Sequence, residues 1–321
     1  MCAILLLSAG ASTGAADEPG FDVPAWAFPG YTNPPPPNST FDDVVKLHVP
    51  ESRVEFTQAQ LADLFAAPDW FPASHAPMPD SVARGRRPDT FACAYCHLPD
   101  GTGRPENAAL AGLPADYIRA QVADMRRHVR KRAWTGPDRP SGLMQQVADS
   151  ATEAEIAEAA AYFSQQPMRR KVEIVEAARV PRTEEVRFIY FAIEGTGDEP
   201  LGARLIEVPV DSGRHEMRDP NVTYRAYVPV GSLARGKALA TTTSANHAAT
   251  ACVTCHGPDL RGSGAFPPLA GRSPSYLLRQ LLSFRAGTRA TPAGAVMQPV
   301  VANLGVEDMI AVAAYAGSLE P

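Results

Sequence analysis

The chain has 321 residues, which is room for two or three domains. Apolar residues make up 45% of the sequence, an ordinary share for a globular protein, and the formal net charge is −5 at pH 7. This mildly acidic balance gives no sign of nucleic-acid binding. The sequence contains no run of 18 or more apolar residues, so we expect no membrane-spanning helix.

The part of the chain before residue 80 is predicted to have two sections. Residues 1–16 combine a short apolar core with small residues, the pattern of an export signal, although the usual basic start is missing. A disordered terminus is the alternative. Residues 17–79 form an N-terminal extension with a stiff polyproline stretch at Pro34 to Pro37. A helix is predicted from Gln58 to Ala66, and the aromatic loop at residues 70–79 is expected to pack over the next domain.

Residues 80–170 form the first predicted domain and contain the motif Cys-x-x-Cys-His, at Cys93, Cys96 and His97. In this motif the two thiols attach a haem covalently, and the adjacent histidine binds its iron. Apolar periodicity and a capping box predict three helices, one leading into residue 93, one over residues 116–131 and one over residues 152–165.

Residues 171–230 differ in composition, with β-branched and aromatic runs separated by Gly- and Asp-containing turns. The predicted strands are Val186 to Ile193, Ala203 to Val210 and Tyr224 to Val228, with turns at residues 195–198 and 211–213. The segment has no Gly-rich phosphate loop and no cluster of metal ligands. We therefore expect a β-rich linker module that serves as a scaffold or a partner surface.

Residues 231–321 repeat the first domain and contain a second Cys-x-x-Cys-His motif, at Cys252, Cys255 and His256. An ungapped alignment with a constant shift of 159 residues, as from Cys93 to Cys252, also superimposes a Pro-Asp pair, a Leu-Ala-Gly run and a Tyr-x-x-x-Gln helix. The sequence therefore predicts one domain type twice, and two covalently bound haem c groups with their iron.

Zinc binding and dithiol chemistry are the alternatives for a Cys-x-x-Cys pair. Zinc ribbons separate their two pairs by about 15–20 residues, whereas 155 residues lie between Cys96 and Cys252. A dithiol redox site gives no reason for the repeat or for the adjacent histidine. Haem attachment therefore accounts for four of the five cysteines and leaves Cys2 without a partner.

Methionine is the common second axial ligand of iron in electron-transfer cytochromes. Of the eight methionines, only Met144 and Met297 coincide between the two copies, at a shift of 153 residues. Each is predicted to lie in a loop just before an amphipathic helix and to bind iron, with a role as core filler as the alternative. His48 and His75 are further candidate ligands, but neither has a counterpart in the second copy, which favours surface or structural roles.

A group of basic residues lies shortly before Met144. It is either the solvated end of a helix or a docking patch for an acidic partner. The group consists of Arg126, Arg127, Arg130, Lys131 and Arg132.

With these motifs the sequence resembles the class I c-type cytochromes, and specifically the dihaem proteins of the cytochrome c4 type. The resemblance covers about residues 80–167 and 231–320 and implies two small all-α domains, each enclosing one haem with histidine and methionine ligands. In that family a proline carbonyl commonly accepts the hydrogen bond of the ligand histidine. Pro267 or Pro268 fits this role in the second copy. The first copy has Ala108-Ala109 there, where another backbone carbonyl has to serve.

The predicted architecture is mainly α, with two cytochrome c-type haem domains joined by a small β-rich insertion. The expected function is that of a periplasmic electron carrier, not an enzyme, because the resembled family attaches haem outside the cytoplasm. Its partners would be a redox protein donor and acceptor, such as an oxidase, a reductase, a dehydrogenase or a soluble carrier, and no nucleic acid. Peripheral association with membrane redox complexes is compatible with this function. The alternatives are a dihaem cytochrome c peroxidase and the cytochrome subunit of a dehydrogenase complex.

Overall fold

The computed structural model of the protein describes four stretches of the chain. They are residues 21–32, 40–136, 139–243 and 250–321. The predictions made for residues 1–16 and for Pro34 to Pro37 lie outside these stretches. Within them, no helix combines the length and the apolar character needed to cross a bilayer.

The N-terminal extension contains little regular structure. After a single 3₁₀ turn at Ala25–Ala27 come the antiparallel strands β1 (Lys46–Leu47) and β2 (Phe56–Thr57), and then helix α1 (Gln58–Ala62). Thr57 begins α1 with a capping box. The helix is shorter than predicted because Asp63 turns to extended backbone and its carboxylate accepts a hydrogen bond from the amide of Phe65, 3.0 Å away.

The first haem domain is a small helical unit built around the Cys-x-x-Cys-His motif. Its helices are α2 (Asp80–Ala83), α3 (Cys93–His97), α4 (Ala115–Arg126), α5 (Arg139–Ser150) and α6 (Glu153–Ser164). The capping box predicted at Thr152 is present and begins α6. Val82, Ile118 and Phe163 bring α2, α4 and α6 together in one apolar core.

Two helix predictions in this domain were wrong. No long helix leads into Cys93, because Gly85 has a φ of 63° and Pro88 cannot continue a helix, so only the short α2 forms. Helix α4 ends at Arg126 rather than at residue 131. His128 takes a left-handed φ of 57°, and the chain beyond it bonds with the second haem domain.

The predicted loop around Met144 is also different in the structure. Met144 lies inside α5, and Met297 is the first residue of a short helix. In both copies the methionine therefore projects from helical backbone, which fixes its direction more closely than a loop would.

The insertion between the haem domains is β-rich, as predicted. Its strands are β3 (Val172–Glu176), β4 (Arg179–Pro181), β5 (Thr183–Val186), β6 (Ile189–Ala192), β7 (Asp198–Pro200), β8 (Ile206–Pro209) and β9 (Tyr224–Val228). Strand β9 is central in a three-stranded sheet, parallel to β3 and antiparallel to β8. The other four strands form the antiparallel pairs β4–β7 and β5–β6.

The single strand predicted from Val186 to Ile193 is in fact part of a hairpin. Arg187 and Phe188 have φ values of 49° and 72°, so the chain reverses between β5 and β6. The turn predicted at residues 211–213 is the start of helix α7 (Ser212–Glu216), where the Asp211 carboxylate accepts a hydrogen bond from the amide of Arg214. Strands β3, β4 and β7 were not predicted.

The second haem domain repeats the helical arrangement of the first. Its helices are α8 (Ser232–Thr241), α9 (Val253–His256), α10 (Pro274–Arg285), α11 (Met297–Val301) and α12 (Val306–Ser318). By analogy with the first copy, the repeat predicts one helix leading into Cys252, whereas the described residues of this region form α8 and, within the motif, the short α9. The domain's core is larger than that of the first, and Leu278, Met309 and Ile310 are at most 1% exposed.

Helices α8 and α12 pack closely at Gly236. A Cβ atom at this position would lie 2.0 Å from the carbonyl oxygen of Ala311 and 2.8 Å from the Cβ of Tyr315. The contact is with backbone, which cannot move aside as a flexible side chain could. Only glycine allows this close approach.

We expect Gly236→Ala to destabilise the second haem domain by about 1–3 kcal/mol, because the added methyl group forces α8 away from α12. Denaturant unfolding of the haem-loaded protein measures the effect. Gly213→Ala is the control, since its Cβ would meet nothing closer than 3.4 Å. Equal stability of the two variants would contradict the close-packing argument.

Candidate functional site

Each Cys-x-x-Cys-His motif occupies a single helical turn. In the first copy α3 contains Cys93, Cys96 and His97, and the three-residue spacing places both sulfurs on one side of the turn. The helix ends immediately after the histidine, where Leu98 has a φ of 65°. In the second copy Gly257, with a φ of 82°, has the same position after His256. The motif residues are therefore presented at the end of a short, abruptly terminated helix.

A backbone carbonyl orients the histidine in both copies. The Nδ1 atom of His97 lies 2.8 Å from the carbonyl oxygen of Ala108, and that of His256 lies 2.8 Å from the carbonyl oxygen of Pro267. Since Nδ1–H donates this hydrogen bond, Nε2 is left with the lone pair that binds a metal. The carbonyl of Ala108 thus orients the histidine in the first copy as the carbonyl of Pro267 does in the second.

Burial lowers the pKa of both His97 and His256, which keeps each imidazole neutral near pH 7. The neutral ring is the form that ligates a metal. The four motif cysteines are free thiols with no disulfide between them. The cysteines can therefore form thioether bonds, and the histidines can bind iron.

The first motif opens onto a cavity of about 680 Å³ with a largely apolar lining. This volume is within the range of about 300–1,000 Å³ found for ligand pockets. The lining includes all four residues predicted for the first haem site: Cys93, Cys96, His97 and Met144. Attachment thiols, an axial imidazole and a thioether around an apolar space fit a haem c group.

Three other parts of the chain complete the wall of this cavity. Phe28 of the extension stacks on Trp134, with ring centroids 5.9 Å apart and an angle of 11° between the planes. Phe188 of the insertion and Tyr276 of the second haem domain also line it. The aromatic loop at residues 70–79, which was expected to cover this site, contributes none of the described lining residues.

The second motif lies in the larger core. His256 is 7% exposed, and its ring contacts that of Phe266 with centroids 6.1 Å apart. Cys252 and Met297 both pack against the apolar core of the second domain. The residues predicted for the second haem site are Cys252, Cys255, His256 and Met297. Cys252 and Met297 pack against this core, His256 is buried, and Cys255 is partly buried.

His75, a candidate ligand in the sequence, is held by other groups. Its Nε2 lies 3.1 Å from the carboxylate of Asp69, and its Nδ1 lies 3.0 Å from the hydroxyl of Tyr162. The hydrogen bond with Asp69 raises the pKa of His75. Both ring nitrogens are therefore engaged within the protein, and His75 attaches the extension to the first haem domain.

The two haem domains contact each other through equivalent residues. The Nη2 atom of Arg130 donates to the Tyr276 hydroxyl at 3.1 Å, and a short antiparallel bridge joins Arg130 to Arg289. The Nη2 atom of Arg289 donates in turn to the Tyr117 hydroxyl at 3.0 Å and to Gln121 at 2.7 Å. Arg130 and Tyr117 match Arg289 and Tyr276 at the same shift of 159 residues. The contact is therefore pseudo-twofold.

This contact changes the interpretation of the basic group before Met144. Arg130 bonds across the domain interface, and Arg126 donates to the carbonyls of Ala148 and Ala151 and pairs with Glu153. Arg127 pairs with Asp124, and Arg132 donates to the carbonyl of Gly136. Four of the five cations thus bond within the protein. The repeat itself indicates this interface, because Arg130 and Arg289 occupy equivalent positions in the two copies.

We expect Arg289→Met to lower the free energy of unfolding by about 1–3 kcal/mol, because Tyr117 and Gln121 lose their buried donor. Calorimetry of the haem-loaded protein measures the loss. Arg179→Met, at an exposed arginine that donates to the carbonyl of Asp198, is the control and should change stability by about 0.5 kcal/mol or less. A similar loss in both variants would show that the interface arginine has no special role.

Comparison with known proteins agrees with this geometry. The sequence model of the family "Cytochrome c" matches residues 82–167 and 233–320, which is more than half of the chain. The chain therefore belongs to the cytochrome c family, and it contains two domains of that family. Two such domains, each with its attachment motif, bind two covalent haem c groups with iron. The predicted fold, two cytochrome c domains with a small β-rich insertion, is confirmed.

Three relatives illustrate the similarity. Cytochrome c4 of Azotobacter vinelandii is 26% identical over 228 residues, which are 70% of this chain and 82% of that protein. The thiosulfate dehydrogenase electron acceptor of Stutzerimonas stutzeri is 48% identical over 83 residues, 25% of this chain. This match spans only 37% of that protein's length. The structure of Acidithiobacillus ferrooxidans cytochrome c4 has a TM-score of 0.48 and 26% identity, and covers 71% of this chain and 98% of that one.

Proposed function

We propose that the protein is a dihaem electron carrier in which His97 and Met144 would bind the iron at the first site, and His256 and Met297 would bind it at the second. The observation that carries the proposal is that Met144 lines the same cavity as the attachment cysteines and His97. Met297 supports it, because it packs on the same core as Cys252. When bound, each haem would supply a one-electron couple whose potential a methionine ligand raises.

The residues of the chain serve this function in separate ways. The carbonyls of Ala108 and Pro267 hold the imidazoles in the tautomer that presents Nε2. The largely apolar cavity wall offers water few hydrogen-bonding partners at the first site. With a histidine and a methionine both bound to each iron, no ligand position would be left for a substrate, which favours electron transfer over catalysis.

The partners follow from this role. We propose a redox protein as donor and another as acceptor, with the protein exported to the periplasm, where covalent haem attachment takes place in the resembled family. The similarity to a thiosulfate dehydrogenase electron acceptor favours a second candidate, a cytochrome subunit that accepts electrons from a dehydrogenase. Co-purification with a dehydrogenase would support the subunit, and a protein purified alone that accepts electrons from several donors would support the free carrier.

The ligand assignment predicts the result of paired substitutions. Met144→Leu should abolish the thioether-to-iron charge-transfer absorption of one haem, and Met297→Leu that of the other, because leucine has no donor atom. Near-infrared absorption and magnetic circular dichroism of the matured protein measure this. Met125→Leu and Met309→Leu are matched controls, since Met125 lines the same cavity as Met144 and Met309 is buried in the second core.

The same spectra separate the carrier from the peroxidase. Two low-spin irons that are unchanged by hydrogen peroxide in the unmodified protein are expected for the carrier. A high-spin haem that reacts with peroxide would refute the proposed ligands. So would loss of the charge-transfer absorption in Met125→Leu or Met309→Leu instead of Met144→Leu or Met297→Leu.

A further inference from the structure

The insertion touches the haem-attachment helix of the first domain through one arginine. The guanidinium of Arg218 lies over the ring of Tyr95, 3.7 Å from its centroid, and its Nη1 donates to the Tyr95 carbonyl at 2.8 Å. Tyr95 is the residue between Cys93 and Cys96 that directly precedes the second attachment point. A residue of the insertion is therefore fixed against the motif itself.

The position of Arg218 is fixed from both sides along the chain. The indole Nε1–H of the buried Trp70, in the extension, donates to the carbonyl of Met217 at 2.8 Å. On the other side Asp219 is paired with Arg214 at 2.6 Å. Arg218 itself has a left-handed φ of 58°. The backbone that carries the guanidinium is thus held in place by contacts with the extension and within the insertion.

The charge of Arg218 has no carboxylate partner among the residues that the structure describes. The neighbouring Arg104 differs in this respect, because it forms a buried ion pair with Glu106 at 2.7 Å. Arg218 therefore places a positive charge next to Cys96 with no carboxylate in direct contact, since the nearby carboxylate of Glu106 is paired with Arg104.

Other carboxylates lie on α6, and one of them, Glu155, lines the first cavity as Glu106 does. Glu155 is paired with Arg86 at 2.9 Å, and Glu158 accepts a hydrogen bond from Ser81. Their effect opposes that of Arg218 but does not cancel a change made at Arg218 alone.

The second haem domain has no counterpart of this arrangement. Thr254 stands at the position of Tyr95 and Ser263 at that of Arg104, at the shift of 159 residues. The insertion that provides Arg218 occurs once in the chain. The two otherwise repeated sites therefore differ in their electrostatic environment.

We propose that Arg218 raises the reduction potential of the first haem selectively, so that the insertion makes the two repeated sites electrochemically different. The inference rests on the proposed function, in which both haems are electron carriers. A fixed positive charge near an attachment point favours the reduced iron, because the reduced iron carries one positive charge less. The partly buried site screens this charge less than bulk water would.

The test is a spectroscopic redox titration of the matured protein and of Arg218→Met. The substitution should lower the reduction constant of the first haem about threefold to tenfold, a tenfold change corresponding to 59 mV for one electron. The second haem should keep its potential. In the Met144→His variant, the titration wave whose midpoint potential shifts belongs to the first haem. If no midpoint potential shifts, the proposed ligands are wrong instead.

Two further variants separate charge from structure. Arg218→Lys keeps the charge and should leave the reduction potential of the first haem nearly unchanged, even though the stacking on Tyr95 weakens. Arg225→Met is the matched control, because this exposed arginine of the same insertion pairs with Glu173 and should leave both potentials unchanged. A purely structural role would lower stability in both Arg218 variants without a shift confined to the first haem.

Arg218→Gln gives a second neutral variant that keeps a hydrogen-bond donor for the Tyr95 carbonyl, in case Arg218→Met fails to fold. Two haems per chain and native far-ultraviolet circular dichroism define a folded variant. An unchanged first-haem potential in a folded neutral variant would overturn the proposal, and so would an equal shift of both haems.

Discussion

Both haem domains depend on one hydrogen bond, which the ligand histidine donates to a backbone carbonyl. It joins His97 to Ala108 and His256 to Pro267, eleven residues apart in each case. The bond fixes which nitrogen carries the proton and therefore which nitrogen can bind iron. The acceptor is a main-chain oxygen, so the side chain at that position is free to vary. This explains why alanine in the first copy and proline in the second produce the same geometry.

The chain after the histidine is shaped to bring this carbonyl into place. The left-handed residue that ends each attachment helix turns the chain, and the amides of Gly103 and Gly262 then donate to the carbonyls of His97 and His256. A Cβ at Gly103 would lie 2.6 Å from the carbonyl oxygen of Ala108. The same backbone that orients the histidine thus requires a glycine beside it, and the two constraints explain why the loop recurs in both copies.

The repeat provides the symmetry of the molecule, and the additional segments break it. Arg130 and Arg289 join the two domains through reciprocal bonds, as expected where two copies of one surface face each other. The extension and the insertion occur once, and both reach the first site, through Phe28 and Phe188. The first cavity is therefore walled by parts of the chain that have no second copy. Two repeated sites can then differ in burial and charge.

The sequence by itself determined the two haem-attachment motifs and the kind of fold around them. The spacing within Cys-x-x-Cys-His is local, since one helical turn suffices to place the thiols and the imidazole. The internal repeat singled out Met144 and Met297 from eight methionines as the predicted ligands. Strands β6, β8 and β9 were predicted at least in part, because their apolar runs are local patterns.

Only the tertiary structure decided what depends on contacts between distant residues. Helix α4 ends at Arg126 because the following chain bonds with residues 288–290 of the other domain, which no local pattern encodes. Strand β3 forms because it pairs with β9, about fifty residues further along the chain. Arg218 lies on Tyr95 because Trp70 and the pair of Arg214 with Asp219 hold its backbone there. Sequence patterns report local periodicity and repetition, whereas an electrostatic neighbour from another domain follows only from how the chain packs.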